Sequence, residues 1–278
     1  MRITFLLIFA VLMACSEDES PIVQQEPPVV EPPIVVEPPV VKECRLVKMV
    51  SLTASQTVET AYSYNDKDQI VGQIRTRDGV VDFSYVIFYD SEGMVDRVDD
   101  GAIIVESDYT TDGKIKKRTL VDKATSEVKE TQEYSWSPDS LHVIYKKPAD
   151  SKPYATMGYK FSGENIVHTM YESYSYFGAD EFFSTSEVTY SGFDAGVNQY
   201  YLALKNRPGY GVVSKNNYAK EISTYKTYKN GTIESTSTST RNYTYVYNKS
   251  NATISFVTTD EATGSAYTTN ITYDDCPE

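Results

Sequence analysis

The sequence predicts an all-β fold: a single antiparallel up-and-down meander, twisted into a barrel-like or half-open sheet, with one short helix near residues 195–205. Three observations make that prediction. A short unit recurs, reading aromatic–x–aromatic, then Asn, Asp or Ser, then a turn, then an apolar residue. Tyr62-Ser63-Tyr64-Asn65, Phe88-Tyr89-Asp90, Tyr109 to Ile115, Tyr134-Ser135-Trp136-Ser137, Tyr159-Lys160-Phe161-Ser162 and Tyr245-Val246-Tyr247-Asn248 are copies. Alternating aromatics suit a pleated strand with one buried face, and Asx or Gly supplies the reversal. The composition agrees: 24 Tyr, 10 Phe and one Trp, with abundant Ser and Thr, is strand composition. Finally, the gaps between apolar runs are short, which pairs each strand with its sequence neighbour.

The chain begins with Met1-Arg2 and an apolar run, Ile3 to Ala14, of 12 residues. That run is too short to span a bilayer as a mature helix. Leu12-Met13-Ala14-Cys15 resembles a bacterial lipobox. The resemblance implies that residues 1–14 are removed and that acyl chains (palmitate-type lipid) on Cys15 anchor the protein to a membrane. The alternative is an ordinary secretory signal with an incidental Cys. Ser16-Glu17-Asp18-Glu19 follows, an acidic cluster similar to the surface-export signal of Bacteroidota lipoproteins. It implies an outer-membrane, cell-surface location; the alternative is a solvated start to a linker.

Residues 15–43 form the lipidated start and a tether. Glu26-Pro27-Pro28-Val29-Val30, Glu31-Pro32-Pro33-Ile34-Val35-Val36 and Glu37-Pro38-Pro39-Val40-Val41 are near-repeats. Proline favours polyproline II, which at about 3.1 Å per residue reaches roughly 70 Å over Ser20–Val41. A spacer lifting a domain from the membrane is the preferred reading, with a Pro-rich ligand as the alternative.

The remaining 44–278 make one all-β domain. Strands are expected at 45–52, 57–64, 69–77 and 80–89. Asp100-Gly101 and Asp112-Gly113 mark further hairpins, followed by strands near 114–123, 127–136, 141–146, 154–161 and 165–174. The rhythm breaks after Ser191. Val197, Tyr200, Tyr201 and Leu204 have i, i+3, i+4, i+7 spacing and predict the short helix. Residues 206–211 read as an irregular loop and Ser214–Asn217 as a turn. Strands resume at 218–228, 232–247, 253–259 and 266–273.

The formal charge is −13, and −14 once Arg2 is lost with the signal. That excludes nucleic acid as a partner class. Of three cysteines, Cys15 is assigned to lipid. Cys44 opens the domain and Cys276 nearly closes it, so a disulfide is the default in an oxidising compartment. Such a bridge pins the first strand beside the last. No Cys or His lies at metal-ligand spacing, and neither a metal nor a cofactor is expected.

The Tyr-x-Tyr-Asn hairpins resemble those of tyrosine–aspartate repeat proteins. With Tyr89-Asp90-Ser91-Glu92-Gly93, the stretch Gly192-Phe193-Asp194-Ala195-Gly196-Val197-Asn198-Gln199, and Ser214-Lys215-Asn216-Asn217, the whole arrangement resembles an uncharacterised Bacteroidota lipoprotein family whose domain has a porin-like fold. The resemblance implies a twisted, barrel-like or half-open sheet and carries no catalytic residues. The tether and the polar strands oppose a membrane pore, which needs a lipid-facing apolar band with aromatic girdles.

His142 and His168 sit in predicted strands, without a Gly-x-Ser-x-Gly elbow for a hydrolytic triad. No carboxylate pair stands out for a glycosidase. Asp90-Ser91-Glu92-Gly93 lacks the other ligands of a calcium loop. Asn230, Asn242, Asn248, Asn251 and Asn270 match the glycosylation pattern but read as strand ends. The best binding candidates are Tyr200, Tyr201 and Tyr210, which can stack on sugar rings or a protein partner; for Tyr200 and Tyr201, plugging one end of the sheet is the stronger reading. The sequence thus points to a non-enzymatic envelope binding module for glycan or protein. A structural subunit of an envelope assembly and a hydrolase with an unrecognised carboxylate pair are the alternatives.

Overall fold

The computed structural model describes residues 44–177, 180–204, 212–274 and 276. Residues 1–43, with the signal segment, Cys15 and the tether, lie outside the described residues, as does Tyr210.

The repeated unit builds the first half of the sheet as successive hairpins. The first eight strands are β1 (Arg45–Leu52), β2 (Thr57–Tyr64), β3 (Ile70–Arg77), β4 (Val80–Tyr89), β5 (Val95–Asp99), β6 (Ile103–Tyr109), β7 (Ile115–Asp122) and β8 (Val128–Ser137). Then come β9 (Ser140–Lys146), β10 (Ala155–Ser162), β11 (Asn165–Phe177) and β12 (Asp180–Val197). The helix α1 (Gln199–Leu204) precedes β13 (Asn216–Lys229), β14 (Thr232–Tyr247), β15 (Thr253–Asp260) and β16 (Ala266–Asp274). Every strand pairs antiparallel with its sequence neighbours, and β16 pairs with β1, so the sheet is a closed barrel. Closure leaves no full-length free edge.

The turns of the repeated unit all fall at one end, together with α1 and Cys44. Three of them use one device. Asn65 Oδ1 accepts the N–H groups of Lys67 and Gln69, both at 3.0 Å. Asp90 does the same for Glu92 and Met94 at 2.9 and 2.8 Å, and Asn248 for Ser250 and Ala252 at 3.0 and 2.9 Å. The side chain mimics a backbone turn and satisfies two donors. The next residue turns inward and is buried: Ile70, Val95, Ile115 and Thr253, with Leu46, Leu141 and Ile166 at equivalent places. Aromatic groups then tie these residues together. Tyr89 Oη donates to the Ile70 carbonyl at 2.7 Å, Tyr109 to Val95 at 2.6 Å and Tyr273 to Thr253 at 2.8 Å. Trp136 Nε1 takes the same role on Ile115 at 2.8 Å. Leu46, Met49, Ile70, Tyr85, Ile87, Val95 and Ile271 form the apolar core at this end.

Cys44 and Cys276 are joined by a disulfide with Cα atoms 4.3 Å apart. It lies at the seam, where Arg45 Nε donates to Asp274 Oδ1 at 2.8 Å.

Two local expectations are corrected. The strand rhythm does not break after Ser191: β12 continues to Val197, which pairs with Asn216. Gly192 stays inside the strand with φ 69°, a conformation that glycine adopts without steric cost, and the register shifts only beyond it, between Phe193 and Val197. Val197 is therefore outside the helix, which starts at Gln199, capped by Asn198 Oδ1 on the Tyr200 N–H at 2.8 Å. Likewise Ser214–Asn217 is not a whole turn, because β13 already begins at Asn216.

Candidate functional site

Register sorts the wall into two faces. Residues in phase with Met49, Tyr85, Val143 and Ala155 point inward, and their neighbours point out.

The outward face carries charged groups along its strands. Lys48 pairs with Glu59 at 2.7 Å and Lys146 with Glu133 at 3.1 Å, while His168 Nε2 and Glu187 Oε1 are 2.8 Å apart. These are cross-strand pairs, each side chain reaching its neighbour over the sheet. One apolar region interrupts them on β3 and β4, where Ile74, Val81 and Val86 are 51, 59 and 49 % accessible. A groove of about 650 Å³ lies there, bounded by the Asp99–Gly101 turn and Lys123.

The inward face is aromatic and hydroxylic, and most of the charges on it are paired. Asp82 accepts from Arg75 at 2.9 Å and meets Arg77 at 3.2 Å. The hydrogen bond from Arg75, with Arg77 beside it, holds that carboxyl below the ordinary aspartate value. Across β7, β8 and Tyr154, just before β10, a continuous chain of hydrogen bonds links opposite charges. Arg118 donates to Tyr134 Oη at 3.3 Å, Tyr134 to Gln132 Oε1 at 2.8 Å, and Gln132 Nε2 to Glu130 at 2.8 Å; Tyr154 Oη also donates to Glu130. On β13 and β14, Glu221 accepts from Tyr243 Oη at 3.0 Å and from Tyr218 Oη, Ser223 Oγ and Arg241 Nη1 at 3.4 Å. Burial raises the Tyr218 and Tyr243 hydroxyls, and the Glu221 charge raises both further, so they stay protonated donors.

The α1 connection caps the end that holds the repeated turns. Val197 N donates to Asn251 O at 3.0 Å, Thr253 Oγ1 to Val197 O at 3.1 Å, and buried Asn217 to Thr253 Oγ1 at 2.7 Å. Tyr247 Oη donates to Asp194, and its ring leaves no room for a Cβ at Gly196. The structure separates the two tyrosines of the predicted site. Tyr201 Oη donates to Glu164 at 3.2 Å, beside the Lys215–Glu164 ion pair. Tyr200 instead is 43 % accessible to water, yet enclosed by protein closely enough that desolvation raises its hydroxyl, with Tyr267 of β16 nearby.

The fold is shared with two porin-like proteins. No protein-family model and no curated protein matches the chain. Among solved structures, a porin-like protein from Bacteroides uniformis ATCC 8492 superposes with a TM-score of 0.55 at 14 % identity, covering 83 % of this chain and 98 % of that one. A porin-like protein from Bacteroides vulgatus ATCC 8482 gives 0.50 at 12 % identity, covering 84 % and 99 %. At such identities the likeness is one of fold.

The opposite, open end was not singled out in the sequence. There β11–β14 outrun their neighbours. β10 follows β11 only as far as the Ala155–Ser173 pair, and β15 follows β14 only to the Asp260–Arg241 pair. Between them β12 and β13 stay paired out to Phe182 and Lys229. A four-stranded flange therefore continues one side of the wall beyond the rim. Long alternating Ser/Thr runs, such as Ser235-Thr236-Ser237-Thr238-Ser239-Thr240, are its signal in the sequence.

Proposed function

We propose that this chain is a non-enzymatic binding module of the cell envelope, held by lipid at Cys15 on a Pro-rich stalk, and that its barrel interior takes an uncharged polar ligand, a glycan. The observation carrying this reading is the matched inner wall. Arg75 and Arg77 are answered by Asp82, Arg241 by Glu221, and Arg118 by Glu130 through two side chains. What remains for a ligand is rings and hydroxyls, with the Glu234 carboxylate at the rim, the chemistry that meets a sugar's apolar face and its hydroxyls. The outward Lys48–Glu59 pair, in the middle of β1, supports a barrel standing in water, since a lysine facing the bilayer midplane costs about 2–4 kcal/mol. Membrane attachment is then the task of Cys15, and the porin-like likeness supports an envelope setting.

The test is a thermal-shift screen of the purified protein against envelope and dietary polysaccharides, with product analysis on every hit. A dose-dependent rise in melting temperature is expected, because a ligand stabilises the state it binds. Released sugar would replace the binder with a hydrolase. A flat response across the panel removes the glycan reading.

One observation favours a second reading. The exposed Ile74, Val81 and Val86, beside the groove at Asp99–Gly101, suit a contact with another envelope protein, the role of a structural subunit. Capture from envelope extracts that is lost in Ile74→Asp separates it from the first.

A further inference from the structure

At the rim, where the flange begins, the inner face is built as rows that cross all four strands. Tyr171 of β11 is opposite Ser186 of β12, which is opposite Tyr225 of β13, which is opposite Ser237 of β14. Adjacent strands are about 4.8 Å apart, so the two tyrosines stand roughly 10 Å apart with a serine between them. The next row toward the tip is Ser173, Ser184, Thr227 and Ser235, four hydroxyls in line. They pair off, Ser173 Oγ with Ser184 Oγ at 2.6 Å and Thr227 Oγ1 with Ser235 Oγ at 2.7 Å. Each hydroxyl keeps acceptor capacity after such a bond.

A hollow of about 290 Å³ opens on these rows, lined also by Phe182 and Glu234. That is at the small end of ligand pockets, a size for one compact group. Tyr225 is 45 % accessible. The hydroxyls of Tyr89, Tyr109, Tyr243 and Tyr273 are spent on carbonyls and a carboxylate. Those of Tyr225 and the Glu234 carboxylate make no hydrogen bond or ion pair among the described residues.

We infer that this hollow is the primary sugar subsite of the module: one neutral pyranose ring lies on Tyr225, its hydroxyls donate to Glu234 and exchange hydrogen bonds with the Ser/Thr row, and Tyr171 takes the following residue of the chain. The inference rests on the glycan reading above and places the ligand at the open rim rather than at Tyr200 or Tyr201. An aromatic face supplies dispersion and C–H contact at small entropic cost, and a carboxylate accepts hydroxyl donors more strongly than a neutral oxygen. Two tyrosines in one row, with a serine between, suit an extended chain better than a single sugar.

The experiment is calorimetric titration of the full-length protein with neutral gluco-, manno- and galacto-hexasaccharides. Tyr225→Ala should weaken binding by roughly tenfold or more, as loss of a central aromatic anchor does. Tyr225→Phe should stay within about threefold, because the ring face is kept, and Glu234→Gln should lose roughly three- to tenfold. These side chains are on the accessible face, so melting temperatures serve as a check that the variants fold. Binding that survives Tyr225→Ala and Glu234→Gln within about twofold overturns the hollow and leaves the glycan reading standing. Failure of every hexasaccharide to bind overturns both.

Discussion

The Tyr89 hydroxyl donates to the Ile70 carbonyl at 2.7 Å, from the end of one repeated unit to the residue that follows the previous turn. Ile70 is fully buried, so that carbonyl has no access to water. Tyr89→Phe keeps the ring and deletes the donor. It should cost about 1 kcal/mol in urea unfolding, while Tyr89→Ala should cost about 3 kcal/mol or more by opening a cavity. Equal costs for the two would mean that the ring alone matters.

The disulfide makes a different contribution. Cys44 and Cys276 are 232 residues apart, and a loop that long gives at most about 5 kcal/mol in the chain-entropy model. The β1–β16 ladder survives its removal on paper. Cys44→Ser should therefore lower the melting temperature under oxidising conditions yet leave strand content by circular dichroism unchanged. The wild type with a reductant should melt with the variant. An unchanged melting temperature in Cys44→Ser would remove the bridge from the account of stability.

Gly196 is a packing glycine, because the Tyr247 ring occupies the space of a side chain there. Gly196→Ala must push the ring or the backbone aside. Overpacking of this kind typically costs about 1–3 kcal/mol. Opening should be local, and hydrogen exchange should quicken at Val197 and Leu202, whose N–H groups bond Asn251 and Asn198, before it does at Ile70.

Stability should fall on both sides of neutrality. Hydrogen bonds from Arg75 to Asp82, from Lys123 to Asp99, and from the Thr125 and Thr263 backbones to Asp122 and Asp260 hold these carboxyls below the ordinary 3.8. Their stabilisation is complete above that value and is lost as pH falls through the lower folded values, because the unfolded chain binds more protons there. Melting temperature should drop from about pH 4 downward. On the alkaline side, burial raises Tyr218, Tyr243, Tyr245 and Tyr273. The folded state keeps protons that the unfolded chain releases above about pH 10, so stability is full below that point and declines beyond it. Tyrosinate absorbance for these rings should rise only with unfolding; a simple titration near pH 10 would show that they are not enclosed.

Much of this fold is legible in local chemistry. Asn65, Asp90 and Asn248 announce turns through side-chain bonds that reach two and four residues ahead, and such devices depend on nothing distant. The break proposed at Gly192 fails for the opposite reason. A glycine in the left-handed region looks the same inside a strand as in a turn, and only the Phe193–Tyr218 partnership decides which it is. The open rim was hidden in the same way. Tyr225 alternates with Ser223 and Thr227 as a core tyrosine does, and it stands exposed because neighbouring strands stop at Asp260 and Ala155, some distance away in sequence. Length differences between strands are a property of pairs, and no single strand displays them.

The seam between β1 and β16 also sets an order of events. Arg45 emerges early and waits for Asp274, 229 residues later, before its ladder can form. Until then β1 has β2 on one side and an open row of backbone donors and acceptors on the other. The entropic cost of joining distant ends rises only slowly with length, but the time during which a bare strand can meet the wrong neighbour rises with every residue still to emerge. A barrel whose first strand is also its last to be matched therefore folds under a deadline, and guarding the nascent N-terminal strand becomes a requirement of its biogenesis.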